Sequence, residues 1–324
     1  MTKVTHLTDD LRAGGVMTNV RGMMNFEKEL ETTQHVVGVD PDNAWSARHF
    51  STDVLVVHFS LAWRKLPFLF ALRLLNREAL FVLQEHHYSP EHFETKPRAL
   101  KRFRTLARTG FRLFDRVLAV SNAQARWYAS LDAKPHAVVS PLTNLDTLLS
   151  LPKKTKSQRI VIGISGRLEK EKGIDLLLSI IGLNANRRLH FLIAGDGELR
   201  TAVEKAARIF DNVTYFGTYD NPREFLANCN IVTIPSRLDT FGIAALEAKA
   251  AGKPIVVTQT CGLVEQAKDC GVVIEKNCSL SLLNGIQQLA SDKRFDTLGN
   301  NARASAAGHI QSALDAWRQQ LAQK

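Results

Sequence analysis

The chain has 324 residues, room for two domains of ordinary size, each with its own core. Its 42 Lys and Arg against 32 Asp and Glu give a formal net charge of +10, and 45% of the residues are hydrophobic, the composition of a soluble globular protein. Cys229, Cys261, Cys270 and Cys278 all lie in the second half without CxxC spacing or a neighbouring histidine pair, which argues against a zinc site or a disulfide framework.

The N-terminus runs from Lys3 into a polar segment with no apolar h-region, so no secretory signal is read and a cytoplasmic compartment with reduced thiols is expected. The first strand is Val4 to Leu7, followed by Asp9 to Ala13, the turn Gly14-Gly15-Val16 and a helix from Thr18 to Leu30. Such a turn brings backbone donors to the carboxyl end of a parallel strand, where ligands of α/β sheets collect. Val54 to His58 is the next strand, leading to an apolar helix through Leu75. Leu55 to Leu83 is the most apolar stretch, yet Arg64, Lys65, Arg73, Arg77 and Glu78 interrupt it, so no run is long enough to cross a bilayer. Strand Leu80 to Leu83 precedes Gln84-Glu85-His86-His87-Tyr88. His86, and His58 after its own strand, therefore stand at carboxyl strand ends, where an imidazole can donate to a phosphate or a sugar hydroxyl. The alternative for each is a structural histidine, and His6 has no distinguishing pattern.

From Lys96 to Arg126 nine cations (Lys96, Arg98, Lys101, Arg102, Arg104, Arg108, Arg112, Arg116 and Arg126) stand against Asp115 alone, while Leu100, Phe103, Leu106, Ala107 and Phe111 recur at helical spacing. A basic amphipathic helix suits an anionic lipid surface, each cation near it contributing about 1 kcal/mol. The other reading is a solvated helix face whose apolar side is core. No helix-turn-helix, zinc or aromatic RNA motif accompanies the charge, so nucleic acid is not an expected partner. Strand Val117 to Val120, helix Asn122 to Ser130 and strand His136 to Val139 complete a first half that reads as α/β with a parallel sheet.

Residues 152–158, within the aperiodic run LPKKTKSQ, are the expected linker between a domain at 1–151 and a second at 159–309. Strands Ile160 to Ser165, His190 to Ala194, Val213 to Phe216, Ile231 to Pro235, Ile255 to Thr258 and Gly271 to Ile274 alternate with helices there, and 310–324 reads as a terminal helix. The loop after the first of these strands sets Arg167 and Lys172 at a helix entrance, a planar fork and a movable point charge suited to a diphosphate, or else surface charge without a role. Gly195-Asp196-Gly197 lacks the third glycine of a dinucleotide fingerprint, Arg200 standing in its place, and reads as a structural turn.

Between Arg237 and Thr258 an acid, a Phe-Gly pair and a second acid, Asp239 to Glu247, hold one fixed spacing ahead of and within a helix from Ile243 to Ala251, closed by Gly252 and Pro254. The backbone amides of Phe241, Gly242 and Ile243 would point out of the helix start, where the dipole favours an anion. Two carboxylates beside a row of donors suit a ligand carrying hydroxyls and phosphate, such as a nucleotide sugar. A capped core helix, with Asp239 as the solvated cap, is the plainer reading.

Taken in order, GRLEKEKGIDLLL, FLIAGDGELR, NVTYFGTYDNPREF, IVTIPSRLDTFGIAALEAKAAGKPIVVT and CGLVEQAKDCGVVI closely resemble the C-terminal domain of family 4 retaining glycosyltransferases. LTDDLRAGGV, DVLVVHFSLA, LQEHHYS and RVLAVSNAQARWY resemble its N-terminal domain more loosely. The resemblance implies the GT-B fold, two Rossmann-like domains with parallel sheets facing a cleft, the acceptor on the first and the nucleotide sugar on the second, with residues 310–324 packing back on the first. It implies that Arg167 and Lys172 bind the donor diphosphate, that Glu247 holds the ribose hydroxyls, and that Phe241, Gly242 and Ile243 bring amides to sugar and phosphate. Asp239 takes the place of the first acid of the family's E-x7-E motif and is one methylene shorter, which bears on sugar identity. Gly15 and Val16 would form the loop beside the transferred sugar, and His86 best matches the histidine that contacts sugar or phosphate, with His87 the other candidate. Tyr219 lies where the family holds the base. The family's Asn-Gly-x-Asp turn is replaced here by Ser140-Pro141-Leu142-Thr143-Asn144.

The expected activity is a metal-independent, retaining transfer of a hexose-type sugar from a UDP- or GDP-type donor, without cofactor, to a glycan or glycolipid acceptor such as lipopolysaccharide or another surface polysaccharide. His86, Asp239 and Glu247 are the expected catalytic residues. Residues 96–126 are the expected peripheral contact with anionic membrane at the inner face of the plasma membrane. A non-catalytic nucleotide-sugar-binding partner of another transferase, and a nucleotide-sugar hydrolase or epimerase on the same fold, are the alternatives.

Overall fold

The computed structural model describes residues 1–12, 14–152, 159–182 and 188–322. Apart from Pro152 the expected linker lies outside the described residues, as do Ala13 and the last two residues of the expected terminal helix. The chain forms two compact units, Met1–Asn144 with Ile310–Lys324, and Leu145–His309.

In the first unit β1 (Thr2–Thr8), α1 (Gly15–Asn25), α2 (Glu27–Leu30), β2 (Thr32–Gly38), β3 (Val54–Val57), α3 (Leu66–Leu75), β4 (Leu80–Glu85), α4 (Pro97–Phe111), β5 (Arg116–Ala119), α5 (Asn122–Ser130) and β6 (Ala137–Val138) follow in order. All pairings are parallel, in the order β2-β1-β3-β4-β5-β6. Leu55, Val57, Phe81 and Leu83 pack on one face with Phe68, Leu69 and Leu72 of α3, Phe103, Leu106 and Ala107 of α4, and Tyr128 of α5. The other face, Val4, Val54, Val56 and Val82, packs with Met23 of α1 and with Ala313, Leu314 and Trp317 near the chain end. Each fully buried aliphatic side chain contributes about 1.5–3 kcal/mol.

Three features depart from the sequence reading. Strand β2 was not expected, because its buried positions include Thr32 and Gln34, which carry no hydrophobic alternation. The first helix begins three residues early, at Gly15, and breaks at Phe26 into two. The turn after β6 is held by a buried network in which the Asn19 amide donates to Gln84 Oε1 at 2.8 Å and accepts from Leu142 N at 2.7 Å. Helix α1 passes it at Gly22, where a Cβ would stand 2.0 Å from the Leu142 carbonyl oxygen.

The second unit continues with α6 (Asp146–Leu149), β7 (Ile160–Ser165), α7 (Ile174–Ile181), β8 (Leu189–Ala194), α8 (Arg200–Ile209), β9 (Val213–Gly217), α9 (Pro222–Asn228), β10 (Ile231–Ile234), α10 (Ile243–Ala250), β11 (Ile255–Thr258), α11 (Leu263–Gln266), β12 (Gly271–Ile274) and α12 (Ser279–Ser291). Its strands run parallel in the order β12-β11-β10-β7-β8-β9. Helix α13 (Phe295–Leu321) starts well before the expected Ile310, and its residues from Ile310 belong to the first unit. Both sheets are of the doubly wound kind, whose ligand side is the carboxyl edge of the strands. Among the described residues no helix is long and apolar enough to cross a membrane.

Candidate functional site

In the second unit the loops leaving β7 and β8 touch backbone to backbone. Gly195 adopts φ 129°, and a Cβ there would stand 1.8 Å from the Gly166 carbonyl oxygen. Leu168 N donates to Asp196 O and Leu199 N to Leu168 O, each at 2.8 Å, so Gly195-Asp196-Gly197 is a packing turn. These bonds fix the start of the loop that carries Arg167 and Lys172. The Arg167 side chain is 55% exposed and spans Glu169 and Glu171, with Nη2 2.9 Å from Glu171 Oε1.

Lys172 closes a single 3-10 turn, Lys170–Lys172, and its Nζ lies 3.1 Å from Asp239 Oδ2, the two side chains 27% and 15% exposed. The next residue, Gly173, is left-handed at φ 72°, and a Cβ there would fall 2.2 Å from the Pro235 carbonyl oxygen. Only glycine permits that approach and that φ together. Arg237 holds the loop from the other side. Its guanidinium forks onto Asp175 at 2.7 and 2.9 Å, it also donates to the Lys170 carbonyl, and its own amide donates to Glu171 O at 2.8 Å. Burial raises the Asp175 pKa, but the Arg237 fork outweighs it and the net shift is downward.

Helix α10 opens at Gly242, left-handed at φ 90°. Its carbonyl accepts from Ala245 N and Leu246 N, so the amides of Gly242 and Ile243 precede the first intrahelical bond. Asp239 Oδ1 accepts from Phe241 N at 3.4 Å, and Asp239 O accepts from Gly262 N at 3.1 Å. The acid therefore bonds within the turn ahead of α10 and faces Lys172; it is not the solvated helix cap of the plainer reading, because Gly242 stands at the N-cap without a side-chain cap bond and the Asp239 side chain is only 15% exposed. Glu247 sits in the second turn of α10, half-buried, and burial pushes its carboxyl up to about 7. Tyr219, stacked on Phe225 at 5.5 Å, has its phenol pushed up to about 12 by burial; a hydrogen bond to Ser165 opposes the shift and the Glu247 charge adds to it. Glu247, Tyr219 and Ser165 thus share one neighbourhood beyond the ends of β7 and β9.

Gly15, Val16 and His86 belong to the first unit. Gly15 and Val16 open α1 after β1, and His86 follows β4, so all three stand at the carboxyl edge of one sheet. The loop after β1 is anchored by the buried Lys65, whose Nζ lies 2.8 Å from Asp9 Oδ2. His86 Nε2 meets His58 Nδ1 at 3.1 Å, and His58 Nε2 meets His6 Nδ1 at 2.8 Å. His87 instead donates through Nε2 to the His58 carbonyl at 2.8 Å.

Lys172, Asp239 and the α10 start are therefore brought together, Glu247 joins Tyr219, and Arg167 is turned toward two acids. Two supports escaped the sequence reading. Arg237 and Asp175 are 62 residues apart and leave no local pattern. His6, which looked unremarkable, touches His58 only because β1 and β3 are neighbours.

Residues 150–305 match the protein family described as glycosyl transferases group 1. An uncharacterised 41.2 kDa protein in the cps region of Klebsiella pneumoniae is 28% identical over 231 residues, 67% of this chain and 63% of that one. The capsular polysaccharide biosynthesis glycosyltransferase CapM of Staphylococcus aureus is 24% identical over 170 residues, 50% of this chain and 45% of that one. The matched segments thus span less than two thirds of these curated relatives. Among solved structures, Anabaena HepE in complex with UDP and glucose matches with a TM-score of 0.74 at 18% identity, covering 99% of this chain and 98% of that one. That likeness concerns the fold, and it assigns the two six-stranded parallel sheets to the GT-B class.

Proposed function

We propose that this chain, whose residues 150–305 match the glycosyl transferases group 1 family, transfers a hexose-type sugar, with retention, from a UDP- or GDP-type donor to a lipid-linked or surface-polysaccharide acceptor. The observation that carries the reading is the Lys172–Asp239 pair set at the start of α10, with Glu247 on the same helix. Arg167 and Lys172 supply positive charge to the departing diphosphate, together with the amides of Gly242 and Ile243, and the reaction so drawn draws its electrostatic stabilisation from the protein rather than from a metal ion. Glu247 takes the ribose hydroxyls, Asp239 a sugar hydroxyl, and His86 with Gly15 and Val16 the transferred sugar. As positive charge develops on the sugar ring, the acceptor attacks from the face the diphosphate leaves, and the diphosphate takes the proton. CapM is a capsular polysaccharide enzyme and HepE was solved with UDP, and these names support the acceptor and donor classes proposed here.

A cytoplasmic enzyme resting on the inner face of the plasma membrane would meet such an acceptor. The apolar side of α4 is used in the core, leaving Arg98, Lys101, Arg102, Arg104 and Arg108 exposed. Helix α3 packs on the same sheet face and exposes Phe70 (56%) and Leu74 (42%), one turn apart. Charge from α4 and apolar surface from α3 together support the membrane reading.

The test is thermal unfolding with UDP, GDP, ADP and CMP. A ligand that binds only the folded chain stabilises it, by about 2.7 kcal/mol at a hundredfold excess over Kd. The expected result is a selective rise in Tm with one nucleoside diphosphate that Lys172→Ala abolishes. No rise with any of the four overturns the proposal.

A further inference from the structure

Arg167 stands in the loop after β7 with its guanidinium already engaged. Nη1 donates to Glu169 Oε2, and Nη2 donates to Glu171 Oε1 at 2.9 Å. Two carboxylates on separate side chains therefore hold the two terminal nitrogens of the fork, the nitrogens that a phosphate would use for a bidentate grip. Lys172 also meets a carboxylate, that of Asp239, but the two cases differ. Asp239 accepts from Phe241 N as well and is 15% exposed. The Glu169 and Glu171 side chains are 31% and 38% exposed and make no other hydrogen bond among the described residues.

The backbone beneath these acids is fixed. Leu168 N donates to Asp196 O at 2.8 Å, and Glu169 O accepts from Lys172 N at 3.1 Å. Glu171 O accepts from Arg237 N at 2.8 Å, and Arg237 is itself forked onto Asp175. An anion that takes Arg167 thus has to turn two half-exposed side chains about their own bonds, while the loop keeps its course. Each guanidinium N–H aims one strong bond in the plane of the group. A phosphate and the two carboxylates therefore compete for the same nitrogens, and the phosphate's apparent affinity falls with the fraction of chains in which Arg167 is open.

We propose that Glu169 and Glu171 are positioning residues for Arg167: they occupy its guanidinium in competition with the donor diphosphate, weaken nucleotide binding and hasten release of the nucleoside diphosphate after transfer. As the phosphate lets go, the carboxylates retake the fork and oppose rebinding. The inference rests on the reading that Arg167 receives the diphosphate. It carries a sign that structural damage does not mimic, because removing the two acids should improve binding.

The test is titration calorimetry of the full chain with UDP and with GDP, with release rates from stopped flow. Four proteins are compared: wild type, Glu169→Gln with Glu171→Gln, Arg167→Ala, and the triple variant. The glutamine replacements keep the side-chain shape at positions that face solvent, so the Tm without nucleotide should stay at the wild-type value. The glutamine pair should bind the accepted nucleotide about fivefold more tightly than wild type and release it correspondingly more slowly. Arg167→Ala should bind more weakly than wild type, and on that background the two glutamines should give no gain. Unchanged or weaker binding by the glutamine pair overturns the proposal, while a loss in Arg167→Ala keeps the donor reading. An equal gain with and without Arg167 shows that the acids act by repelling the ligand directly, which overturns their role on Arg167. Binding that Arg167→Ala leaves unchanged removes Arg167 from the donor site and overturns the proposal with it. Failure of wild type to bind either nucleotide overturns the transferase reading and this inference together.

Discussion

Glu247 shows what burial does to one acid. Its carboxyl is pushed up to about 7, well above the ordinary value of 4.5, because burial penalises the charged form. The folded chain therefore holds this proton more tightly than the unfolded chain does. The resulting stabilisation is fully present below pH 4.5 and is lost as pH rises through about 7. Glu247→Gln should remove this slope, so the variant gains Tm relative to wild type at pH 8 and not at pH 4; parallel Tm profiles across that range would refute the burial argument. Both acids of the Asp239–Glu247 spacing were legible because they lie in one short segment, as were the glycines around them. Whether each is paired was not, since Asp239 meets Lys172 from 67 residues away.

At the scale of elements, the join between the 3-10 turn 170–172 and α7 depends on Gly173. A methyl group there would meet the Pro235 carbonyl at 2.2 Å while the residue keeps φ 72°. Gly173→Ala should cost about 1–3 kcal/mol of stability, read as a lower Tm, and should weaken nucleotide binding because Lys172 moves with the turn. A variant that melts with wild type shows that the loop accommodates the methyl. Most elements were legible: β7, β11, β12 and α5 coincide with the expected spans because apolar runs bounded by turn residues mark them locally. Strand β2 and the first half of α13 were not. The strand buries polar groups, and the helix carries Gly299, Asn300, Asn301 and Gly308, which read as loop but are held in the helix by packing of Leu298, Ala302 and Ala306.

For the whole molecule, the exposed basic face of α4 and the Phe70–Leu74 ridge of α3 predict recovery on phosphatidylglycerol vesicles. Phe70→Asp with Leu74→Asp should reduce recovery at every ionic strength, whereas Arg98→Glu with Lys101→Glu should reduce it mainly at low salt, where charge is least screened. Equal recovery of wild type on neutral and anionic vesicles would remove the electrostatic part of the reading. The amino-acid sequence by itself determined the alternation of strand and helix, the two-domain plan and the positions of Lys172, Asp239 and Glu247, because periodicity, turn residues and short-range spacing are local signals. Only the tertiary structure decided the partners: Arg237 on Asp175, Lys172 on Asp239, and the row from Gln34 through His6 and His58 to His86. Those contacts follow the order β2-β1-β3-β4 and the crossing of separate loops. Strand order is set by how whole layers bury their apolar faces, and no segment of the chain carries that information alone.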